Sequence, residues 1–327
     1  MDLIKEIHRF LEIEIDEMNK LILESLSVEE ELVRLVSNYI SKSGGKRIRP
    51  VLTLLSSNMF NCKNDNRIKL ATAVEFIHMA TLLHDDVVDG SKMRRFLPSA
   101  NVIWGSKASI LVGDFLFSQS FKLIVSSQSI SAMSILAKAS AVIVEGEVSQ
   151  LAKLEERRLI TEAEYVKVIN AKTAELFGAA CEVGAIMAYQ PVDCCRILRI
   201  FGRKLGNIFQ ITDDLLDYFA EVEITGKNIG DDFAEGKVTL PIIFLANKLD
   251  INDKKKLTDL IIASERTSDD FKWVRQLLIN FNIKDEIVEY LQDLKIEASQ
   301  LLDEINIENK SKEYLKLLVD FAINRNY

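Results

Sequence analysis

The sequence predicts a mostly helical fold built from long helices, and three observations carry that expectation. Only 13 Gly and 4 Pro occur in 327 residues, below the usual shares of about 7% and about 5%. A large all-β fold or a many-turned α/β fold needs more such punctuation. Apolar residues recur at three- and four-residue spacing along most of the chain. The composition, 48% hydrophobic and 28% charged, is that of a globular protein able to bury a sizeable core. A single domain over residues 1–327 is expected.

Taken in order, residues 1–40 place Leu3, Ile7, Phe10, Leu11, Met18 and Leu21 on one helical stripe, with Ile13 and Ile15 off its centre. SKSGGKRIRP (41–50) breaks the pattern with two Gly, several basic residues and a Pro. Helical patterning resumes over Val51–Met59, and NCKNDN (61–66) reads as a polar loop. Leu70–Asp89 reads as one long helix stopped near Gly90, followed by the basic break SKMRRFLPSAN (91–101). Helical pattern runs from about Ile103 to Lys153, with Gly113 and Gly146 inside it. Glu162–Met187 and Arg196–Phe219 follow. EITGKNIGDDFAEGK (223–237) is the longest irregular stretch, Pro241 opens a further helix, and Asp250–Tyr327 reads as charged amphipathic helix pairs. No linker, low-complexity tract or solenoid repeat interrupts this order.

Charge and cysteine usage exclude some classes. A formal net charge of −8 argues against nucleic acid as a partner, which would call for a basic stripe, but leaves room for an anionic substrate at a locally basic site. Cys62, Cys181, Cys194 and Cys195 form no CxxC pair and no Cys/His cluster. They read as reduced thiols of a cytoplasmic protein. The opening stretch carries acids throughout, so neither a signal nor a transit peptide is expected. No unbroken apolar run of about 18 residues occurs, so no membrane-spanning segment is expected.

One short element recurs. DDVVD (85–89) returns as DDLLD (213–217). Residues four apart share a helix face, so Asp85 pairs with Asp89 and Asp213 with Asp217, flanked by Asp86 and Asp214. A solvated helix face would also show a single DDxxD. Two copies on apolar-rich helices favour a bound cation that offsets the repulsion between like charges. Mg²⁺ fits, because it takes hard oxygen ligands and is usually held by one or two carboxylates plus substrate phosphates. Basic residues lie close by: Lys46, Arg47 and Arg49 in a Gly-led turn, Arg94 and Arg95 past the first acidic element, Lys227 and Lys237 past the second. Cations at helix ends are also ordinary surface chemistry; three clusters beside two acidic elements favour phosphate binding. His78 lies two turns before Asp85 with Thr81 between, and Gln210 shares the face of Asp213, Asp214 and Asp217. His84 lies off that face and reads as structural. GDDFAEGKVT (230–239) looks like a P-loop at a glance, but its Gly spacing is wrong, Val238 follows the Lys, and no strand precedes it.

These residues resemble those of the trans-isoprenyl (polyprenyl) diphosphate synthases, and most of all the long-chain bacterial octaprenyl diphosphate synthases. The resemblance runs through GGKRIRP (44–50), EFIHMATLLHDDVVDGSKMRR (75–95), GDFLF (113–117), GEVSQL (146–151), KTAELF (172–177), FQITDDLLD (209–217) and GKNIGDDFAEGKVTLP (226–241). It implies an all-α fold, a single large bundle of ten or more helices around a deep central cavity, and a homodimer. It implies that isopentenyl diphosphate is condensed with an allylic prenyl diphosphate, farnesyl diphosphate in the first instance, by Mg²⁺-assisted ionisation, condensation and proton loss. Three Mg²⁺ ions are implied with substrate bound, and peripheral membrane contact at product release.

Carried over residue by residue, the resemblance makes Asp85, Asp89 and Asp213 metal ligands, with Asp86, Asp214 and Asp217 in weaker or water-mediated roles. Lys46, Arg49, His78 and Arg95 match the isopentenyl diphosphate site. Arg94, Lys172, Thr173, Gln210, Lys227 and Lys237 match the allylic diphosphate site, and Arg94 and Lys172 join the aspartates in catalysis. Ala80 and Thr81, one turn before Asp85, are the candidate chain-length residues, since bulky groups there would close a cavity early. Phe117 and Phe121 share a face with Asp114 and read as a cavity floor or as core. A short-chain geranylgeranyl diphosphate synthase is the nearest alternative. A class I terpene cyclase would carry a second motif with Asn, Ser or Thr and Glu in place of DDLLD. A non-catalytic partner subunit would have lost a motif, and none is lost.

Overall fold

The computed structural model describes residues 2–42, 45–94, 97–219 and 230–325. Almost all secondary structure in them is helical, as the low Gly and Pro content dictates. The helices are α1 (Leu3–Phe10), α2 (Glu12–Ser25), α3 (Glu31–Lys42), α4 (Ile48–Asn58), α5 (Asn66–Val88), α6 (Ala100–Trp104), α7 (Ser106–Ser126), α8 (Ile130–Glu156), α9 (Glu162–Ile169), α10 (Glu175–Met187) and α11 (Val192–Phe219). They continue with α12 (Asp231–Glu235), α13 (Leu240–Lys248), α14 (Ile251–Ile262), α15 (Ser268–Asn280), α16 (Ile283–Asp303) and α17 (Lys310–Asn324). A π-helical turn, Asn170–Ala174, joins α9 to α10. A two-stranded antiparallel hairpin pairs Met93–Arg94 with Leu97–Pro98. Two compact units result: Met1–Ser140, Leu176–Gly202 and Leu301–Leu318 form the first, and Ala141–Glu175, Arg203–Gln300 and Val319–Tyr327 the second.

The first unit is organised around α5. Its residues from Ile68 to Leu83 are largely buried, Phe76 among the largest side chains fully so. Helix α4 is buried from Pro50 to Ser57 on every face, as a helix flanked by others must be, and α7 lies along α5. Close approach of those two helices requires Gly113: a Cβ there would sit 2.2 Å from the His84 ring, which explains a glycine inside a helical pattern. The His84 ring packs there with its Nε2 3.1 Å from the Ile110 carbonyl and 3.5 Å from Asp114 Oδ1. In the N-terminal helices the buried stripe is Ile4, Ile7, Leu11, Met18 and Ile22. It keeps Ile7, Leu11 and Met18 of the expected stripe but takes in Ile4 and Ile22, leaving Phe10 exposed; helical bonds from Leu11 N to the Ile7 carbonyl and from Ile15 N to the Leu11 carbonyl carry the phase from α1 into α2.

Two expected continuous stretches are divided. The pattern from Ile103 to Lys153 stops at Ser127–Ser129, where Gln128 takes a left-handed backbone and Ser129 Oγ accepts from Ala132 N at 3.2 Å. Serine caps replace the missing Gly and Pro. The loop expected over 223–237 contains the short helix α12 between two left-handed glycines, Gly230 and Gly236. By length and composition Ser106–Ser126 is also long and apolar enough to cross a membrane, although half of it is buried in the protein. Its apolar residues are interrupted by Ser, Gly, Gln and Asp114 rather than forming an unbroken run. Cys62, Cys181, Cys194 and Cys195 are free thiols.

The second unit is held by Leu205, Ile208, Ile211, Leu215 and Tyr218 of α11 together with Phe233, Leu240, Ile242, Leu257 and Val274. Its helix starts are well capped. Thr161 and Glu164 form a reciprocal capping box at α9, and Thr267 and Asp270 form another at α15.

Candidate active site

In the first unit, α5 carries most of the expected residues. Asp85 and Asp89 lie one helical turn apart and are both partly exposed, with Asp89 N donating to the Asp85 carbonyl at 2.8 Å. Asp86 turns inward and is 1% exposed. The hairpin folds Arg94 back onto it. Arg94 Nε lies 3.0 and 2.9 Å from the two carboxylate oxygens and Nη2 lies 2.7 Å from Oδ1. Asn101 Nδ2 donates to the Asp86 carbonyl at 3.0 Å. Arg94, expected at a diphosphate, and Asp86, expected near a metal, are thus engaged with each other. A carboxylate removed from water needs such a partner. Arg95 lies outside the described residues.

Arg49 and His78, separated by 29 positions, are brought together as expected. Arg49 Nη1 donates to His78 Nε2 at 2.9 Å, and the guanidinium lies over the Phe177 ring at 4.7 Å. A guanidinium cannot accept a hydrogen bond, so Nε2 is the acceptor and the His78 ring proton sits on Nδ1. Lys46 is exposed in the turn before α4. Thr81 Oγ1 donates to the His78 carbonyl at 2.9 Å, and Ala80 is fully buried. The Phe117 and Phe121 rings meet edge-on at 5.1 Å. Phe121 is exposed, which removes it from the core.

In the second unit, the π-helical turn presents Lys172 and Thr173. Such turns are rare and are frequently found at functional sites. Gly146 of α8 permits the approach: a Cβ there would lie 2.7 Å from Ala171 Cβ and 3.0 Å from Lys172 N. Lys172 Nζ pairs with Glu147 Oε2 at 2.9 Å. Thr173 Oγ1 donates to Gln210 Oε1 at 2.8 Å, Gln210 Nε2 donates to Asp214 Oδ1 at 2.8 Å, and Tyr165 OH donates to Asp214 Oδ2 at 2.6 Å. Asp214 is 4% exposed. Burial, and the charge of Asp232, push its carboxyl well above the usual carboxylate range against the hydrogen bonds from Tyr165 and Gln210. Lys172, Thr173, Gln210, Asp214 and Lys237 line one cavity of about 140 Å³, with Lys153 and Arg157 on its basic wall. Lys237 pairs with Glu235 at 2.5 Å. Lys227 lies outside the described residues.

Asp213 is partly exposed and ion-pairs with Arg325 at 2.5 Å. Asp217 Oδ2 accepts from Asp232 N at 3.2 Å, which ties α12 to α11. The two acidic motifs therefore behave alike. In each, the second aspartate is buried and held by protein donors, while the first and fifth remain partly exposed.

Among the described residues, no three His, Cys, Asp or Glu side chains group to hold a metal ion. Paired carboxylates at Asp85/Asp89 and at Asp213/Asp217 supply hard oxygen donors in twos. That set suits Mg²⁺ when phosphate oxygens complete its coordination. Sequence reading had not singled out Tyr165, Phe177, Asn101 or Arg325. Glu147 and Phe177 lie within motifs already noted, but Tyr165, Asn101 and Arg325 gave no signal.

A family model described as polyprenyl synthetase matches residues 30–278, and the chain belongs to that family: it is a prenyltransferase. It is 36% identical to octaprenyl diphosphate synthase of Haemophilus influenzae, over 99% of this chain and 98% of the relative. Its fold matches a crystal structure of polyprenyl synthase from Caulobacter crescentus, complexed with calcium and isoprenyl diphosphate, with a TM-score of 0.94 and 40% identity over 99% of this chain and 98% of that one. A decaprenyl diphosphate synthase from Rhodobacter capsulatus matches with a TM-score of 0.93 and 37% identity over 99% of both chains.

Proposed function

We propose that the protein extends an allylic prenyl diphosphate, farnesyl diphosphate in the first instance, with isopentenyl diphosphate to a long all-trans polyprenyl diphosphate. The observation that carries this reading is the convergence of Lys172, Thr173, Gln210 and Lys237 on one basic cavity in the unit that bears DDLLD. The resemblance to octaprenyl and decaprenyl diphosphate synthases supports the long product.

In this reading Asp85, Asp89 and Asp213 would hold Mg²⁺, with Asp217 in a weaker or water-mediated role, and residues 1–327 work as a single synthase domain. Mg²⁺, when bound, supplies positive charge to the departing diphosphate. Lys172 and Lys237 exchange their carboxylate partners for the allylic diphosphate, placing fixed charge where negative charge builds in the transition state. Lys46, Arg49, His78 and Arg95 hold isopentenyl diphosphate, with the Phe177 ring orienting the Arg49 fork. Thr173 and Gln210 orient the diphosphate through the chain of hydrogen bonds that ends on Asp214. No side chain is assigned as the proton acceptor; the released diphosphate takes that role. The protein works in the cytoplasm as a homodimer and touches membrane when product leaves. Exposed Leu111, Phe121 and Val125 on α7 support an apolar surface for those contacts.

Incubation of the purified protein with farnesyl diphosphate, isopentenyl diphosphate and Mg²⁺, with products sized by mass, tests the proposal. A long polyprenyl diphosphate is expected. A product no longer than geranylgeranyl diphosphate would move the protein to the short-chain class.

A further inference from the structure

Asp213 has a partner that no motif announced. Arg325 follows α17 and is 6% exposed. Its guanidinium lies 3.5 Å from the centre of the Phe209 ring. Its Nη2 donates to the Phe209 carbonyl at 2.5 Å and ion-pairs with Asp213 Oδ1 at 2.5 Å. All three residues belong to the second unit. Phe209 precedes Asp213 by one turn of α11, so a single side chain spans the ring, backbone and carboxylate of one helical turn. An exposed ion pair is held loosely and contributes little. Here the cation is buried, stacked and bound to backbone, so its position is fixed while the carboxylate it holds keeps an exposed edge.

We propose that Arg325 is a positioning residue: it fixes Asp213 and keeps a positive charge at Oδ1, so that a divalent cation alone is disfavoured there and is accepted together with a diphosphate. This rests on the reading of Asp213 as a metal ligand. The reason is Coulombic. A dication sharing one carboxylate with a fixed guanidinium is repelled by it, whereas a diphosphate arriving with the dication is attracted to both. The two ligands are then positively coupled, and the coupling is reciprocal. A metal loaded without substrate would serve no step of the reaction; Arg325 makes loading conditional.

Mn²⁺ binding followed by electron paramagnetic resonance, with and without inorganic pyrophosphate and corrected for their association in solution, tests the proposal on the full chain. Arg325→Met is expected to tighten binding of Mn²⁺ alone at least fivefold and to shrink the gain from pyrophosphate by a similar factor. Arg325→Lys keeps a charge but lacks the planar fork and the stacking face, so its affinity for Mn²⁺ alone should fall between wild type and Arg325→Met. The wild-type protein, which needs no substitution, should bind Mn²⁺ at least tenfold more tightly with pyrophosphate than without; no such gain would overturn the proposal. Unchanged affinity for Mn²⁺ alone in Arg325→Met would also overturn it, provided Asp213→Asn weakens binding of Mn²⁺ with pyrophosphate. If Asp213→Asn weakens nothing, the metal reading of Asp213 itself fails and this inference falls with it.

Discussion

Arg49 meets His78 through a 2.9 Å hydrogen bond between α4 and α5, with the guanidinium plane resting on Phe177. The contact fixes which ring nitrogen of His78 carries the proton and how the Arg49 fork is turned. Lysine cannot reproduce it, because it lacks both the planar fork and the stacking face.

Arg49→Lys is therefore expected to lower kcat/KM for isopentenyl diphosphate at least tenfold while leaving KM for the allylic diphosphate within about twofold. Steady-state kinetics with each substrate varied in turn give the answer. An effect on the allylic substrate alone would place Arg49 at the other site.

The Asp86–Arg94 pair is expected to matter for stability. Replacing Arg94 with Leu strands a carboxylate that is 1% exposed, and orphaning one member of a buried pair costs about 3–5 kcal/mol. Arg94 is itself 24% exposed on its side chain, so the loss should sit near about 3 kcal/mol. Urea unfolding measures it. A loss below about 1 kcal/mol, the size of an exposed pair, would show that water replaces Arg94.

Asp214 predicts a pH dependence. Its carboxyl titrates above its ordinary value because it is buried near Asp232, so the folded chain keeps a proton that the unfolded chain has released above about pH 4. The contribution is fully present below that pH and is lost as pH rises through the folded value. Wild-type stability should fall across that window more steeply than stability of Asp214→Asn. Urea midpoints at a series of pH values compare the two slopes; parallel slopes would mean that Asp214 titrates normally.

Ala80 is buried on α5, one turn before Asp85. Ala80→Phe should shorten the products, seen by thin-layer chromatography of labelled extracts, and should cost about 1–3 kcal/mol as overpacking. Unaltered product length in a folded variant would remove Ala80 from control of chain length.

Asp85→Ala should preserve the helical fold, since Asp85 is partly exposed, while turnover falls by orders of magnitude. Circular dichroism and product assay together test this. Wild-type turnover in that variant, or in excess chelator, would exclude the metal role.

Much of the site was legible because its signals are local. A four-residue period puts Asp85 with Asp89 and Asp213 with Asp217 on any helix, and His78 and Thr81 share that face of α5 for the same reason. The partners were not legible. Glu147 reaches Lys172 over 25 positions, Tyr165 reaches Asp214 over 49, and Arg325 reaches Asp213 from the far end of the chain. Nothing in the spacing within one helix encodes a contact between helices. The break at Ser127–Ser129 was hidden because serine side chains cap helix ends there, where glycine or proline is the usual sign.

By itself the sequence determined the helical class, the breaks near 41–50, 61–66 and 91–101, and the paired aspartates. Tertiary structure decided which aspartate of each DD pair faces the core. Adjacent residues on a helix point about 100° apart, so one of the two must turn away from its neighbour, and only packing sets which direction is inward. In both units it is the second, Asp86 or Asp214, that is buried and satisfied by Arg94 or by Tyr165 and Gln210. The first is left at the surface, where a ligand can reach it.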